Sequence, residues 1–321
     1  MNVLLVTPSV PGSRSGNQMT TLRWCKLLRR LGLRVTVENK FDGQKCDLLI
    51  ALHARRSFSS IRRFHRVYPD RRMVVALTGT DLYYDLPRRP HLHQALEWAT
   101  RLVVLQHDAT RHLPNRLKSK ARVIYQSASP YGGKVAPLKD VFEVCVLGHL
   151  RSVKDPFRAA MAARRLPRES RICIEHFGAA LTPAMERRAL REIQRNHRYH
   201  WHGDIVHRRT QRRLARSRLL VVSSKLEGGA NVVSEAIAAN VPVLSTRISG
   251  TIGLLGKDYP GYFDVGDTAG LTELLARAEA DPRFYRCLQT ACQRKSALVQ
   301  PKHELDSWRA FLRELEMPGN I

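Results

Sequence analysis

The sequence predicts an α/β protein built from two domains, each organised around its own parallel sheet. Short apolar runs alternate with helical patterns along the whole chain, which is typical of parallel sheets. The 321 residues, 43% of them hydrophobic, are enough for two separate cores. A Pro/Gly/Lys-rich segment at 130–137 has the composition of a linker and interrupts the alternation. We therefore expect an N-terminal domain at 1–138 and a second domain at 139–301.

Apolar runs bounded by polar turns predict the strands of both sheets. In the first domain they are 3–7, 35–38, 47–52, 73–78, 102–105 and 123–126, and in the second 142–147, 171–176, 219–223 and 241–245. Residues 21–28 have helical spacing, with Gly32 as the expected stop. The tail, 302–321, contains an amphipathic helix at 302–315 that we expect to pack back on the first domain. Parallel sheets bind ligands beyond the carboxyl ends of their strands, so we expect two Rossmann-like domains facing a central cleft.

The net charge is +26, from 54 Lys and Arg residues against 28 Asp and Glu residues. Such a field attracts phosphorylated small molecules, acidic membrane surfaces or polyanions. A bias towards Arg codons would give the same dispersed pattern, so the charge alone does not decide the function.

Localisation is predicted from the cysteines and the N-terminus. The six cysteines show no Cys-x-x-Cys pair and no Cys/His ligand spacing, and the chain opens on a strand-like run without a basic leader. There is no apolar stretch of about 18 residues. We expect reduced thiols in a cytoplasmic protein.

The most informative segment, 221–243, has the pattern strand, small-residue loop, helix, strand. Gly228 and Gly229 allow a ligand to approach the backbone closely, and the following helix directs N–H groups at an anion. Glu227 and Glu235 flank this turn, and carboxylates accept hydrogen bonds from sugar and ribose hydroxyls. The alternative is that both are ordinary acids at the start and on the solvated face of a helix.

This segment resembles the Glu-x7-Glu motif of family-4-type GT-B glycosyltransferases, with Glu-Gly at its head and Glu-Ala-x-Ala-x-x-x-Pro-Val at its tail. The resemblance implies the GT-B fold, a nucleotide-sugar donor, Glu227 on the donor sugar and Glu235 on the ribose. The backbone of the turn would hold the diphosphate, and its residues are Gly228, Gly229, Ala230, Asn231 and Val232.

A second segment, 144–156, begins the second domain with a strand and a glycine loop. It resembles the family's Gly-Arg-Leu turn followed by a lysine, which Lys154 matches. His149 stands at the arginine position, and we assign the second cation to Arg151, two residues on. Such cations stabilise the charge that develops on the leaving diphosphate. Lys154, Arg151 and Glu227 are the predicted catalytic residues; the alternative for the Arg/Lys pair is a solvated surface.

The loops after the first-domain strands supply further candidates. Two glycines in the loop after the first strand suit close approach to the donor, and its donor-binding candidates are Gly12, Ser13, Gly16 and Asn17. An ordinary turn is equally consistent with this loop. It is not the Gly-x-Gly-x-x-Gly fingerprint, which disfavours a nicotinamide enzyme. Thr78 stands where many relatives carry the His of a His-Gly-x-Asp sequence.

With Thr78 and His149 at these positions, the chain resembles one branch of the family, the selenosugar synthases of selenoneine biosynthesis. The resemblance spans about 1–316 and is carried by segments 11–17, 51–57, 77–83, 144–151 and 227–235. It implies transfer of a sugar from a UDP-sugar, typically UDP-N-acetylglucosamine, to selenophosphate, forming a C–Se bond with release of UDP and phosphate.

An anionic selenium nucleophile needs no strong general base, but it needs extra cations beside the diphosphate. The acceptor-binding candidates are Arg14, His53, Arg55, Arg56, Thr78 and His149. Arg55 and Arg56 could instead simply open a solvated helix.

Two alternatives stay open. A GT-B glycosyltransferase could act on a hydroxyl of a lipid or glycan. A non-catalytic nucleic-acid-binding protein would suit the charge, although none of the recognised binding motifs is present. Because no Asp-x-Asp motif follows a strand of the predicted donor site, we expect neither a metal nor another cofactor.

Overall fold

The computed structural model describes residues 1–9 and 15–316, which form two compact units. The first unit comprises Met1–Gln126, Glu227–Gly229 and Pro301–Ile321, and the second comprises Ser127–Leu226 and Ala230–Gln300. The chain enters the second unit at Ser127, before the linker that we predicted at 130–137. The Ala128 N–H donates to the Val299 carbonyl at 2.9 Å, which ties this segment to the second unit.

The first unit contains a six-stranded parallel sheet with the order β2-β1-β3-β4-β5-β6. Its strands are β1 (Asn2–Val6), β2 (Arg34–Glu38), β3 (Leu48–Leu52), β4 (Arg72–Leu77), β5 (Arg101–Val104) and β6 (Ala121–Val123). Alternate residues of β1 enter different cores: Leu4 and Val6 pack on one face of the sheet, and Val3 and Leu5 on the other. A sheet that is covered on both faces explains the almost continuous apolar runs of its strands.

In the described part of this unit, the α-helices between the strands are α1 (Gly16–Arg30), α2 (Phe58–Val67), α3 (His91–Trp98) and α4 (Asn115–Lys118). The Ser15 hydroxyl caps α1 by accepting from the Gln18 N–H at 3.3 Å. Gly32, with φ of 85°, follows the end of α1, so the predicted helix and its stop are confirmed.

The second unit repeats the architecture, with a six-stranded parallel sheet of order β12-β11-β10-β7-β8-β9. Its strands are β7 (Phe142–Leu147), β8 (Ile172–Phe177), β9 (Tyr199–Trp201), β10 (Leu219–Val222), β11 (Val243–Thr246) and β12 (Tyr262–Phe263). Its helices are α5 (Arg158–Ala163), α6 (Pro183–Arg195), α7 (His207–Arg216), α8 (Asn231–Ala238), α9 (Ser249–Leu255), α10 (Thr268–Ala280) and α11 (Pro282–Gln293).

Every predicted strand overlaps an observed strand, but β9 and β12 were not predicted. They contain three and two residues and form the two edges of the second sheet. Runs this short have too few residues to show a recognisable apolar pattern.

The last described element, α12 (Pro301–Glu316), belongs to the first unit and confirms the predicted amphipathic helix. Its buried Trp308 packs edge-on against Trp24 of α1, with ring centroids 4.9 Å apart. The Trp24 indole N–H donates to the buried carboxylate of Glu304 at 2.9 Å. None of the helices in the described ranges has the length and apolar character needed to cross a bilayer.

Candidate functional site

The loop after β7 carries the predicted cations of the second unit. Residues Ser152–Lys154 form a 3-10 turn that ends at Asp155, which is left-handed with φ of 43°. The Lys225 N–H donates to the Val153 carbonyl at 2.8 Å, and the Ser223 hydroxyl donates to the Asp155 carbonyl at 2.9 Å. The Lys154 loop is thus fixed to the segment that follows β10. Because β7 and β10 are parallel neighbours, both segments lie at the carboxyl edge of the sheet.

A buried histidine for which the sequence predicted no role supports the start of this loop. His176 Nε2 lies 3.0 Å from the Gly148 carbonyl oxygen, and its Nδ1 lies 2.9 Å from the Tyr199 hydroxyl. Burial lowers the pKa of His176 to about 4, so the ring is neutral near pH 7. Nε2 therefore donates to the carbonyl, and Nδ1 accepts from the tyrosine. A histidine within an apolar strand is the sequence signal that could have identified it.

His149 and Arg151 lie on the same loop with different surroundings. His149 is half-buried, and its Nδ1 accepts from the Ala179 N–H at 3.0 Å, so a neutral ring carries its proton on Nε2. Arg151 is exposed and precedes the 3-10 turn. The loop therefore presents the Arg151 guanidinium and the half-buried Lys154 within four residues of each other.

The start of α8 has no side-chain cap. Its N-cap residue, Ala230, is buried and left-handed with φ of 38°. A methyl side chain cannot accept hydrogen bonds from the first turn of the helix, as Ser or Asp would. A non-glycine residue in this conformation costs of order 1–3 kcal/mol, and such strain concentrates at functional sites. Glu235 is half-buried further along the same helix.

The glycine turn belongs to the first unit and packs tightly there. A Cβ atom on Gly228 would lie 2.1 Å from the Thr78 carbonyl oxygen, and one on Gly229 would lie 2.7 Å from Leu105 Cβ. Both contacts exclude any side chain, which explains the double glycine after the half-buried Glu227.

A buried carboxylate joins the loops after β3 and β4. Asp81 is fully buried and accepts from the N–H groups of Ala54 at 3.0 Å, Thr78 at 3.0 Å and Gly79 at 2.8 Å. No role of its own was predicted for Asp81 from the sequence. The structure makes it the residue that sets the backbone of both loops, one of which carries Thr78 and the other His53, Arg55 and Arg56.

The first-unit acceptor candidates differ in exposure. His53 is buried and left-handed with φ of 67°; its Nε2 lies 2.9 Å from the Thr80 hydroxyl, and its Nδ1 accepts from the Arg56 N–H at 3.3 Å. Both ring nitrogens of His53 therefore have hydrogen-bond partners within the first unit. Arg55 pairs with the buried Asp85 at 3.0 Å, whereas the Arg56 side chain is exposed.

The loop after β1 is described in part. Gly16 and Asn17 are the first residues of α1. The backbone N–H groups in the first turn of a helix have no acceptor within the helix. Gly12, Ser13 and Arg14 lie outside the described residues, and their roles stay predictions.

Comparison with known proteins agrees with this architecture. The family described as "Glycosyl transferases group 1" matches residues 134–294. No curated protein sequence matches the chain.

Solved structures match over almost the whole chain. The Anabaena protein HepE, solved in complex with UDP and glucose, has 15% identity and a TM-score of 0.78, and covers 98% of this chain and 100% of its own. Sucrose-phosphate synthase from Thermosynechococcus elongatus has 14% identity and a TM-score of 0.78, with 98% of each chain covered. An Escherichia coli structure described as trehalose-6-phosphate bound with UDP-2-fluoro glucose has 10% identity and a TM-score of 0.74, with 98% of this chain and 99% of that one covered. The predicted α/β class and GT-B fold are confirmed.

Proposed function

Because the chain belongs to the group 1 glycosyltransferases, we propose that it transfers a sugar from UDP-N-acetylglucosamine to selenophosphate. The bond from the anomeric carbon to the diphosphate oxygen breaks, and its electron pair leaves with UDP. Selenium supplies the electron pair of the new C–Se bond. Water then cleaves the Se–P bond, which gives a selenosugar and phosphate.

The proposed donor site is supported by the fixed loops at the carboxyl ends of the strands of the second sheet. There the Lys154 loop is hydrogen-bonded to the segment after β10, and α8 begins at a residue that cannot cap it. Cations and a helix N-terminus stabilise the charge that develops on a leaving diphosphate. We assign this role to Lys154, Arg151 and the backbone from Gly228 to Val232.

UDP as the nucleotide is supported by the structurally similar proteins. HepE was solved with UDP and glucose, and the Escherichia coli protein with UDP-2-fluoro glucose. We propose that Glu235 accepts from the ribose hydroxyls of the donor and that Glu227 accepts from its sugar hydroxyls, with Gly16 and Asn17 beside the donor. Carboxylates suit this task because they accept several hydrogen bonds at once.

Selenophosphate as the acceptor is supported by the chemistry of the first-unit loops. Thr78 stands in place of a histidine, and a selenium nucleophile that is already anionic needs no base there. The exposed guanidinium of Arg56 and the partly neutralised Arg55 suit a second anion. His53, whose ring nitrogens both have local partners, would act mainly by holding the Arg56 backbone.

The test is a reaction of the protein with UDP-N-acetylglucosamine and selenophosphate, with UDP and selenium-containing sugar both measured. We expect the two products in equal amounts. UDP release without a selenosugar would reject selenophosphate as the acceptor. In that case the next hypothesis to test is transfer to a hydroxyl of a lipid or glycan. The proposed use of a UDP-sugar donor would still stand.

A further inference from the structure

Three potential metal ligands lie together on the two outermost strands at one edge of the second sheet. Cys173 and Glu175 are alternate residues of β8, so their side chains project from the same face. His200 of β9 is the direct register partner of Glu175. The ladder continues beyond β9, because the His202 N–H donates to the His176 carbonyl at 2.9 Å. His202 therefore falls on the same face as His200.

The ligand atoms are close to one another. Cys173 Sγ lies 3.2 Å from His200 Nδ1 and 3.5 Å from Glu175 Oε1, and His200 Nδ1 lies 2.9 Å from Glu175 Oε1. The three atoms thus surround one point from three directions. His202 Nε2 contacts the second carboxylate oxygen of Glu175 at 2.6 Å.

These separations are close to those of a tetrahedral zinc site. With Zn–S of about 2.3 Å and Zn–N or Zn–O of about 2.0–2.1 Å, tetrahedral angles place ligand atoms about 3.3–3.6 Å apart. The observed separations therefore need to expand by about 0.5 Å or less to admit an ion. Side-chain rotations of this size need no change in the strands.

We propose that Cys173, Glu175 and His200 bind one divalent transition-metal ion of the zinc type. A thiolate, an imidazole and a carboxylate together suit Zn²⁺ and disfavour Mg²⁺ or Ca²⁺, which take oxygen ligands. His200 is 47% exposed, so solvent reaches the site and water completes the coordination. His202 holds the carboxylate of Glu175, as outer partners of metal ligands commonly do.

This site is separate from the proposed donor chemistry. Its ligands project from the opposite face of β8 to His176, the residue that supports Gly148. The ion would hold β9, a three-residue edge strand, to β8, and it would take no part in sugar transfer. Removing it should lower the thermal stability of the protein while sugar transfer below the melting temperature stays unchanged.

The first experiment is titration of chelator-stripped protein with Zn²⁺ by calorimetry and with Co²⁺ by absorption spectroscopy. We expect one ion per chain and a thiolate-to-cobalt charge-transfer band, which reports Cys173 directly in the unmodified protein. Weak binding of several ions without that band would overturn the proposal, since it would mean adventitious binding to scattered histidines.

Variants then separate ligands from their neighbours. We expect Cys173→Ser and His200→Gln to weaken Zn²⁺ binding at least about 100-fold, and His202→Gln to weaken it about 10-fold, as for an outer partner. Cys287→Ser removes an exposed thiol of α11 and should change nothing. Circular dichroism checks that each variant is folded. Folded Cys173→Ser protein that binds Zn²⁺ with unchanged affinity, or loss of the band in Cys287→Ser, would refute the assignment.

Discussion

Lys154 ends a short 3-10 turn whose position is fixed by its neighbours. The Val153 and Asp155 carbonyls accept from the segment after β10, so the backbone on both sides of Lys154 is held. A cation placed in this way needs little reorganisation when charge develops on the leaving group.

We expect Lys154→Ala to lower kcat about 10²–10³-fold, because one fixed positive charge opposite the leaving diphosphate is lost. Lys154→Arg should recover part of the activity. The matched control is Lys257→Ala, which removes an exposed lysine of the same unit. Steady-state kinetics measure kcat for each variant. An unchanged kcat in folded Lys154→Ala protein would show that Lys154 has no role in catalysis.

Asp81 illustrates a positioning role in the first unit. Its carboxylate accepts three backbone N–H groups from two loops that are far apart in sequence. Unsatisfied buried donors cost about 1–3 kcal/mol each, so the loops depend on this side chain.

Asp81→Ala should therefore lower the free energy of unfolding by about 3 kcal/mol, since three N–H groups, two of them buried, lose their acceptor. Asp258→Ala, at an exposed position, serves as the control and should stay within about 0.5 kcal/mol of the wild type. Urea unfolding measures both. A loss below about 1 kcal/mol for Asp81→Ala would show that water or relaxed backbone replaces the carboxylate.

From the sequence, candidate site residues could be proposed where they form a contiguous motif. Glu227, the double glycine and Lys154 could be selected because a turn and its flanking residues are local in sequence. Asp81, His176 and the Cys173 cluster could not, because their partners lie on other strands. The pairing of Glu175 with His200 depends on register, which the local pattern does not encode.

At the scale of elements, α12 closes the first unit through both apolar and charged contacts. Glu314 accepts from Arg122 at 2.5 and 2.7 Å and from Arg101 at 2.8 Å. Arg101 is the first residue of β5 and Arg122 lies within β6, so one carboxylate anchors the helix to two strands. Hydrogen bonds from Arg122, followed by those from Arg101, lower the pKa of Glu314 in spite of partial burial.

We expect Glu314→Gln to destabilise the protein by about 0.5–1 kcal/mol at pH 7. Because the folded pKa lies below the unfolded one, the stabilisation is present above the unfolded pKa and is lost as the pH falls through the folded value. The difference in the free energy of unfolding between wild type and variant should therefore disappear at acidic pH. Urea unfolding at pH 7 and in steps down to pH 3 tests this, and a difference in the free energy of unfolding that does not depend on pH would contradict it.

The strand and helix order could be predicted from the sequence because buried parallel strands give continuous apolar runs. The edge strands β9 and β12 could not, since their pairing rests on backbone contacts with a neighbour rather than on their own composition. The boundary between the two units likewise depends on a backbone contact with a distant residue, the hydrogen bond from Ala128 to Val299.

At the scale of the whole molecule, the charge of +26 favours encounter with anionic substrates. Both proposed substrates are anions, so the charge is consistent with the proposed reaction. It does not by itself identify a partner, because most of it is dispersed along helix faces.

We expect kcat/KM for the UDP-sugar to fall several-fold between about 0.05 and 0.3 M salt, because screening shortens the reach of the field. The kcat value should change little, since bound substrate is less screened. Initial rates at matched pH test this with sodium chloride. A kcat/KM that does not depend on salt would mean that the charge plays no part in substrate capture.

We propose that UDP binds where the strands of the second sheet end, at the Lys154 loop and the start of α8. Calorimetry of the protein with UDP measures this binding, with Lys154→Ala and Glu235→Ala measured beside the wild type. We expect one UDP per chain and at least about 10-fold weaker binding in each variant, the loss expected for a charge-assisted contact. No heat of binding in the wild type, or equal affinity in all three proteins, would contradict it.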